Sequence, residues 1–335
     1  MKKKIIVFGA TGHLGAYTID YLFDNIDKRK YEIIATGRKD TNFFDRYNVK
    51  YIQVDILKNE DFDKLPKDNV YAVLALCGAM PAATKGYNPY NYVNVNINGT
   101  LNILEYCRKN SVNRIIFPQS ESDLSGHWEE NTVIKPNMER SFKLSGDYAL
   151  YVLSKCTAVD MIEIYHQNFG IKNFIFRLPT VYHYRPNPYY FKKGEKKMLG
   201  YRSLMQKAMN GEDIEIWGNP KLFKDIVYVK DFAQMICKAI TANCDGGIYN
   251  VGTGIGTTIE DIVKGIVEVF SPTNRKSKIL YAPEKEDTKS FVMDIENAKE
   301  ELGYVPQYNY IDYLKDFKKE MELNRFKDLW GEFKE

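Results

Sequence analysis

Short apolar runs alternate with longer helical patterns along the first half of the chain. The helical patterns cover residues 14–23, 92–108 and 148–169, and the apolar runs cover 5–8, 31–35, 51–54, 72–76, 114–117 and 173–178. Strands separated by helices of this length cannot be joined as hairpins, so they predict successive strand–helix–strand crossovers. The pattern therefore predicts an α/β protein with a doubly wound parallel sheet covered by helices on both faces.

The pattern changes near Tyr182, where prolines, aromatic clusters and a basic stretch at 192–197 interrupt the alternation. A strand followed by a helix returns at 226–240, and further helices are predicted at 257–270 and 295–302. Charged residues with spaced aromatics at 310–335 predict one amphipathic helix lying on a smaller domain. We therefore predict a dinucleotide-binding domain at 1–180, to which 226–245 returns, and a smaller α/β substrate-binding domain at 181–225 and 246–335.

Composition narrows the class of protein. The 335 residues are 44% hydrophobic and 27% charged, as in ordinary globular proteins, and 47 basic against 44 acidic residues give a net charge of +3. This excess is too small for a nucleic-acid partner. Five cysteines without a CxxC pair predict neither a disulfide framework nor a metal site. The apolar run after the basic start is only four residues long. We therefore expect no membrane partner and a cytoplasmic location.

A glycine-rich turn follows the first predicted strand at once. The segment runs Gly9-Ala-Thr-Gly12-His-Leu-Gly15, and a helical pattern opens directly after it. Gly9 permits the tight turn, Gly12 lets the backbone approach a pyrophosphate, and Gly15 lets the helix pack close to the strand. The anion faces the helix N-terminus. This context predicts a Rossmann-like dinucleotide site, with candidate cofactor-binding residues Gly9, Thr11, Gly12, His13, Leu14 and Gly15.

The ends of the second and third strands bear on the choice of cofactor. Arg38 stands where an acidic residue usually receives the ribose 2′-hydroxyl, and a guanidinium there suits a 2′-phosphate. Asp55 ends the third strand, where a carboxylate can accept from the adenine amino group. The cofactor is NAD or NADP, with NADP slightly favoured by Arg38, although a simply solvated Arg38 is an equal alternative.

Tyr151 and Lys155 lie one turn apart in a predicted helix and therefore on one face. A phenol with a pKa of about 10 is a poor base at neutral pH, but a nearby ammonium stabilises its phenolate. Tyr151 can then exchange a proton with a substrate hydroxyl while hydride moves to or from a nicotinamide.

The chain resembles the extended short-chain dehydrogenase/reductase family, in particular its NAD(P)-dependent sugar-nucleotide epimerases, dehydratases and reductases. Besides the glycine turn and YxxxK, the resemblance covers the segments that begin at Asp55-Ile56, Asn96, Arg177, Asp225, Tyr249 and Leu302. It implies that Tyr151 is the catalytic acid/base and that Lys155 holds the ribose and lowers the tyrosine pKa. It further implies cofactor contacts at Asp55, Ile56 and Asn96, and a homodimer through 101–107 and 152–165.

The resemblance also implies a catalytic hydroxyl after the strand at 114–117. Counting from that strand places it at Ser120, whereas counting back from Gly126 places it at Glu121, because the loop has one extra residue. A rigid strand positions a site better than a loop does, so we choose Ser120, with Ser122 as the reserve. Glu121 and Asp123 do not fall in the register of the acid pair that dehydratases of the family carry.

At two positions where many relatives have an arginine for the diphosphate of the substrate, this chain has a lysine. Lys224 precedes Asp225, and Lys289 stands where a later arginine is expected. Lysine supplies charge without the bidentate fork of arginine. We assign substrate binding to Ser122, Arg185 and Lys224, with Arg202 and the 192–197 stretch as further candidates. A nucleotide sugar is the expected substrate, and another phosphorylated or unphosphorylated sugar stays open.

These features predict an epimerase that works through a transient keto intermediate, with Ser120, Tyr151 and Lys155 as the catalytic residues. An NADPH-dependent 4-keto-sugar reductase and a 4,6-dehydratase are alternatives within the family. The alternative from another class is a non-catalytic NAD(P)-binding sensor, which is expected to keep the glycines and lose the tyrosine–lysine pair.

Overall fold

The computed structural model describes residues 1–83, 85–128, 132–146, 148–192 and 194–333. In chain order its strands are β1 Lys3–Phe8, β2 Tyr31–Gly37, β3 Lys50–Gln53, β4 Val70–Ala75, β5 Arg114–Ser120, β6 Thr132–Ile134, β7 Lys172–Leu178, β8 Val181–Tyr182, β9 Tyr189–Lys192, β10 Glu195–Met198, β11 Ile214–Trp217, β12 Phe223–Asp225, β13 Val227–Tyr228, β14 Gly246–Asn250, β15 Gly256–Thr258, β16 Ile279–Ala282 and β17 Phe291–Met293.

The helices begin with α1 directly after the glycine turn. They are α1 His13–Asn25, α2 Pro89–Asn91, α3 Gly99–Lys109, α4 Ala149–Phe169, α5 Gly200–Met209, α6 Val229–Thr241, α7 Ile259–Phe270, α8 Glu296–Leu302, α9 Tyr310–Leu323 and α10 Lys327–Trp330. A π-helix at Tyr92–Asn98 joins α2 to α3. Short 3₁₀ turns lie at Phe43–Tyr47, Asn59–Lys64, Pro81–Ala83 and Glu121–His127.

Most strands of the first half of the chain, together with β14, form a seven-stranded sheet in the order β3-β2-β1-β4-β5-β7-β14. Every neighbouring pair is parallel. Reading outward from β1, the chain builds one side of the sheet first and then continues on the other side. The predicted Rossmann-like, doubly wound fold is confirmed, and its ligand crevice lies between the carboxyl ends of β1 and β4.

The first strand shows why the sheet forms here. Ile5 and Val7 are buried in one core with residues of α1 and α6, whereas Ile6 and Phe8 are buried in the other with residues of α3 and α4. Side chains alternate between the two faces of a strand, so a run that is apolar at every position needs helices on both sides.

Smaller sheets surround the carboxyl side of the later strands. A four-stranded sheet has the order β15-β12-β17-β6, β9 and β10 form an antiparallel hairpin, and β11 pairs with β16. Helices α5, α7 and α9 pack together beside them. The other strands of these three sheets lie in the ranges predicted for the smaller domain, whereas β6 lies in the range predicted for the dinucleotide-binding domain.

Two further features, the position of β14 and the end of the C-terminal helix, differ from what the sequence predicted. The strand β14 belongs to the large sheet, where Ile248 pairs with Ile175, so the chain returns to that sheet beyond residue 245. The predicted single helix at 310–335 is wrong, because α9 ends at Leu323 and Asn324 adopts a left-handed conformation with φ +42°. The chain then turns away and forms the short α10.

The five cysteines are free thiols. In the described ranges, no helix is long and apolar enough to cross a membrane, and no group of His, Cys, Asp and Glu side chains is placed to hold a metal ion.

Candidate active site

The glycine turn has the geometry that a bound dinucleotide needs. Gly9 has φ +79°, and a Cβ there would lie 2.7 Å from the backbone nitrogen of Cys77, which follows β4. A Cβ on Gly15 would overlap the carbonyl oxygen of Gly9, so Gly15 lets α1 pack directly on the turn. Gly12 is exposed, and among the described residues no side chain caps the first turn of α1. The backbone N–H groups in the first turn of α1 are therefore available to a diphosphate.

His13 and Leu14 begin α1 and are half-buried. Burial is the main reason that the pKa of His13 lies well below its usual value, and the charge of Arg185 adds to the effect. His13 is therefore a neutral imidazole at physiological pH, so the positive potential at this point comes from the helix N-terminus and from Arg185.

The side chain of Arg38 is exposed directly after β2, while its carbonyl oxygen accepts a hydrogen bond from Gln53 Nε2 at 2.8 Å. Asp55 is half-buried after β3, and its Oδ1 accepts from the N–H of Leu57 at 3.1 Å. Both residues therefore lie at the carboxyl edge of the sheet, as predicted.

Two predicted cofactor contacts have other partners. The side chain of Ile56 is 7% exposed and packs against Gly99, so it belongs to the core and not to the cleft. Asn96 is buried in the π-helix, and its amide donates to Ala79 O at 3.1 Å and to Ser154 Oγ at 3.0 Å while its Oδ1 accepts from Ala79 N at 2.8 Å. Ile56 therefore packs in the core and Asn96 holds the loop after β4, while the assignment of the two residues to the cofactor stays a prediction.

Ser120, at the end of β5, meets Tyr151 from α4. The Ser120 side chain lies close enough to the Tyr151 phenol to lower the phenol's pKa by a hydrogen-bonding interaction. The Ser120 hydroxyl also lies 3.1 Å from Ser122 Oγ and 3.4 Å from Glu121 Oε2. Counting from the strand therefore selects the serine that contacts the tyrosine, and the extra residue of the loop places a carboxyl group beside it.

The expected lowering of the Tyr151 pKa is not what the structure shows. Burial raises the pKa of Tyr151, Glu121 raises it further, and the hydrogen bond to Ser120 offsets part of the increase. Burial also lowers the pKa of Lys155 to about 7, with its Nζ 3.7 Å from the centroid of the Phe117 ring. An ammonium that is half deprotonated at neutral pH stabilises a phenolate weakly.

Two acidic residues of the 3₁₀ turn have different environments. Asp123 is buried and accepts from Arg177 Nε at 3.1 Å, an ion pair that ties the turn to β7. Burial raises the pKa of Glu121 to about 7. Asp123 therefore has a structural role, whereas Glu121 can exchange a proton near neutral pH.

The candidate substrate residues lie in two places. Arg185 approaches His13 closely enough to lower its pKa, and its Nη2 donates to Tyr189 O at 2.8 Å. The Nε of Arg185 is buried without a hydrogen-bond partner in the described part of the chain. Lys224 is half-buried on β12, and burial lowers its pKa. Lys192, Lys196 and Lys197 are exposed on the β9–β10 hairpin, and Lys193 lies outside the described residues.

The turn at β1, the loop after β4, the end of β5 and the start of α4 converge at one edge of the sheet. They define a protein of the dinucleotide-binding class, in which Ser120, Tyr151 and Lys155 lie near the end of β5. The chain belongs to the NAD dependent epimerase/dehydratase family, whose sequence model matches residues 5–252.

Individual relatives agree with this assignment. A putative UDP-glucose 4-epimerase of Methanocaldococcus jannaschii is 26% identical over 93% of this chain and 96% of its own length. The UDP-glucose 4-epimerase of Thermotoga maritima, solved with UDP-glucose, has a TM-score of 0.73 at 22% identity, covering 96% of this chain and 99% of the other. The UDP-glucuronic acid 4-epimerase of Bacillus cereus, solved with NAD, has a TM-score of 0.71 at 22% identity, covering 95% and 99%.

Proposed function

We propose that this protein is an NAD(P)-dependent sugar-nucleotide 4-epimerase in which Tyr151 is the catalytic acid/base. The observation that carries the proposal is that Ser120, at the end of β5, lies beside the Tyr151 phenol and affects its pKa. Two of the similar proteins are a putative UDP-glucose 4-epimerase and a UDP-glucose 4-epimerase solved with UDP-glucose, which supports a nucleotide sugar as the substrate.

Tyr151, Ser120 and Lys155 have different roles in this mechanism. Tyr151 removes the proton of the substrate hydroxyl and later returns it, and Ser120 donates a hydrogen bond to the reacting oxygen. A bound nicotinamide supplies the hydride acceptor and, in its cationic form, a positive charge that lowers the pKa of Tyr151. In those molecules in which Lys155 is protonated, its ammonium group adds a second positive charge.

Substrate binding falls to Ser122, Arg185 and Lys224 in this proposal. Ser122 is within hydrogen-bonding distance of Ser120. Arg185 has an unpartnered Nε, and a phosphate or sugar oxygen would satisfy it. Lys224 offers a single point charge on the smaller part of the molecule.

NADP stays the slightly favoured cofactor in our proposal, because the exposed Arg38 guanidinium at the end of β2 can pair with a 2′-phosphate. The same residue favours a second function, that of an NADPH-dependent 4-keto-sugar reductase. The reductase consumes NADPH in each turnover, whereas the epimerase regenerates its cofactor.

We also propose a homodimer through α3 and α4. These helices expose Leu101, Leu153 and Ile164, whose side chains are 39%, 44% and 52% accessible in the single chain. A paired helix face would bury this apolar surface. Size measurement of the purified protein tests the assignment.

The decisive experiment incubates the protein with UDP-, GDP-, CDP- and dTDP-sugars and records both the sugar product and the absorbance of reduced nicotinamide. An epimerised product without net oxidation supports the first function, and stoichiometric NADPH oxidation supports the second. Tyr151→Phe should lower kcat by about 10² or more, while Tyr90→Phe, at an exposed tyrosine, should not change it. Unchanged turnover in Tyr151→Phe contradicts the proposed mechanism, and failure to convert any sugar nucleotide favours the sensor.

A further inference from the structure

The end of the chain crosses from the smaller part of the molecule to the cofactor-binding turn. Helix α9 packs on α7, where Lys318 Nζ donates to Val269 O at 2.8 Å. After Asn324 the chain turns, and residues 325–333, which we call the C-terminal strap, lie against α1 and the glycine turn. The strap therefore connects the smaller part of the molecule to the glycine turn of the large sheet.

The strap is anchored by burial and charge. Phe326 is 2% exposed, and its ring centroid lies 4.7 Å from that of Tyr17 on α1. Arg325 Nη1 donates to Asp20 Oδ1 at 2.8 Å, and Asp328 pairs with Arg46 at 2.8 Å. Because ion pairs that are wholly or partly exposed each contribute little, the buried Phe326 is the main anchor and the charges set its register.

Trp330 contacts the turn itself. Its indole N–H donates to the carbonyl oxygen of Thr11 at 3.0 Å, and its ring stands edge-on to the His13 imidazole at 4.8 Å. Thr11 lies between the first two glycines of the turn. The bond uses a carbonyl, so the N–H groups at the start of α1 stay available to a diphosphate. Trp330 can thus hold the turn without competing with the cofactor.

The far end of the strap returns to the smaller part of the molecule. The Phe333 ring lies 5.3 Å from the Tyr189 ring on β9, and Lys196 Nζ of β10 lies 5.1 Å from the Phe333 ring centroid. The strap therefore touches the glycine turn in its middle and the β9–β10 hairpin at its end. Separating the two sides of the crevice requires these contacts to break.

We propose that the C-terminal strap holds the cofactor crevice together and slows release of the dinucleotide, with Trp330 as the positioning residue for the glycine turn. The inference rests on the proposed epimerase function, in which the cofactor is regenerated within each turnover and need not leave. A slow release would keep the protein in its loaded state between substrates.

The test measures release of NADH from the full-length protein by its fluorescence, after a chase with excess NAD and without sugar. Trp330→Phe removes the N–H donor and keeps an aromatic ring. Trp217→Phe is the matched control, because Trp217 is an exposed tryptophan whose indole N–H donates to Glu215 at 2.6 Å on the smaller part. Asp328→Asn weakens the anchor to Arg46 as an independent perturbation. Melting temperatures of the cofactor-free variants verify folding.

We expect release to be about fivefold faster in Trp330→Phe, which corresponds to the loss of one hydrogen bond, and faster in Asp328→Asn, with Trp217→Phe matching the wild type. A change of less than twofold in Trp330→Phe overturns the strap proposal, even where NADH binds and sugars are epimerised. Failure of the epimerase proposal is recognised separately, as NADH binding without epimerised product.

Discussion

Ser120 Oγ lies 3.4 Å from Glu121 Oε2, so the hydroxyl that lies beside the Tyr151 phenol also contacts a carboxyl group. Ionisation of Glu121 therefore places a negative charge close to the phenol. Because burial raises the pKa of Glu121 to about 7, this charge appears in the pH range where the enzyme is expected to work.

The first prediction concerns the pH dependence of kcat/KM. As the pH rises through about 7, Glu121 loses its proton and opposes ionisation of Tyr151. Glu121→Gln keeps the shape and removes the charge, so its profile should lose the contribution of Glu121 to the inflection near pH 7 and keep that of Lys155. Tyr151 should also ionise at lower pH than in the wild type. Initial rates between pH 5 and 9 measure this, and a profile identical to that of the wild type would show that Glu121 does not contribute.

The second prediction concerns stability and Lys155, whose pKa burial lowers to about 7 from 10.5. Between these values the unfolded chain binds more protons than the folded chain, so this residue makes stability rise with pH. Lys155→Met removes the effect and should stabilise the cofactor-free protein by about 2 kcal/mol more at pH 6 than at pH 9.

Denaturant unfolding at the two pH values measures that difference, and the same variant should lose activity. Lys315→Met, at an exposed position of α9, is the control and should behave alike at both pH values. A Lys155→Met effect independent of pH would mean that the ammonium is well solvated.

The third prediction concerns cofactor choice. Arg38→Asp replaces the exposed guanidinium at the end of β2 with a carboxylate, which repels a 2′-phosphate and can accept from a ribose hydroxyl. The ratio of NADPH to NADH affinity should fall by about tenfold or more. Fluorescence titrations with both nucleotides measure the ratio. An unchanged ratio would show that Arg38 is only a solvated surface residue.

The fourth prediction concerns Gly15, where a Cβ would overlap the carbonyl oxygen of Gly9. Gly15→Ala must displace either the turn or α1, so it should lower the free energy of unfolding by about 2 kcal/mol or more and weaken dinucleotide binding. Gly200→Ala is the matched control, because the space around Gly200 is open. Equal behaviour of the two variants in denaturant unfolding would contradict the close packing of α1 on the turn.

The parallel, doubly wound sheet and the tight glycine turn before α1 followed from the sequence. An apolar run such as Ile5–Phe8 must be covered on both faces wherever it lies, and the spacing of Gly9, Gly12 and Gly15 is a local requirement of the backbone. Such local constraints do not depend on the rest of the chain. Tyr151 and Lys155 share a helix face for the same reason.

Only the tertiary structure decided the contacts between segments that lie far apart in the chain. The sequence left Ser120 and Glu121 as competing positions, and the approach of α4 to β5 brought Ser120 to Tyr151 while burying Glu121 beside it. It assigned Asn96 to the cofactor, but the neighbouring Ala79 and Ser154 take its hydrogen bonds. It extended a helix to the C-terminus, and the contact of Trp330 with Thr11 had no signal in either local pattern. The burial and the hydrogen-bond partners of a side chain depend on the folded structure around it. The periodicity and spacing of residues in the sequence therefore do not specify them.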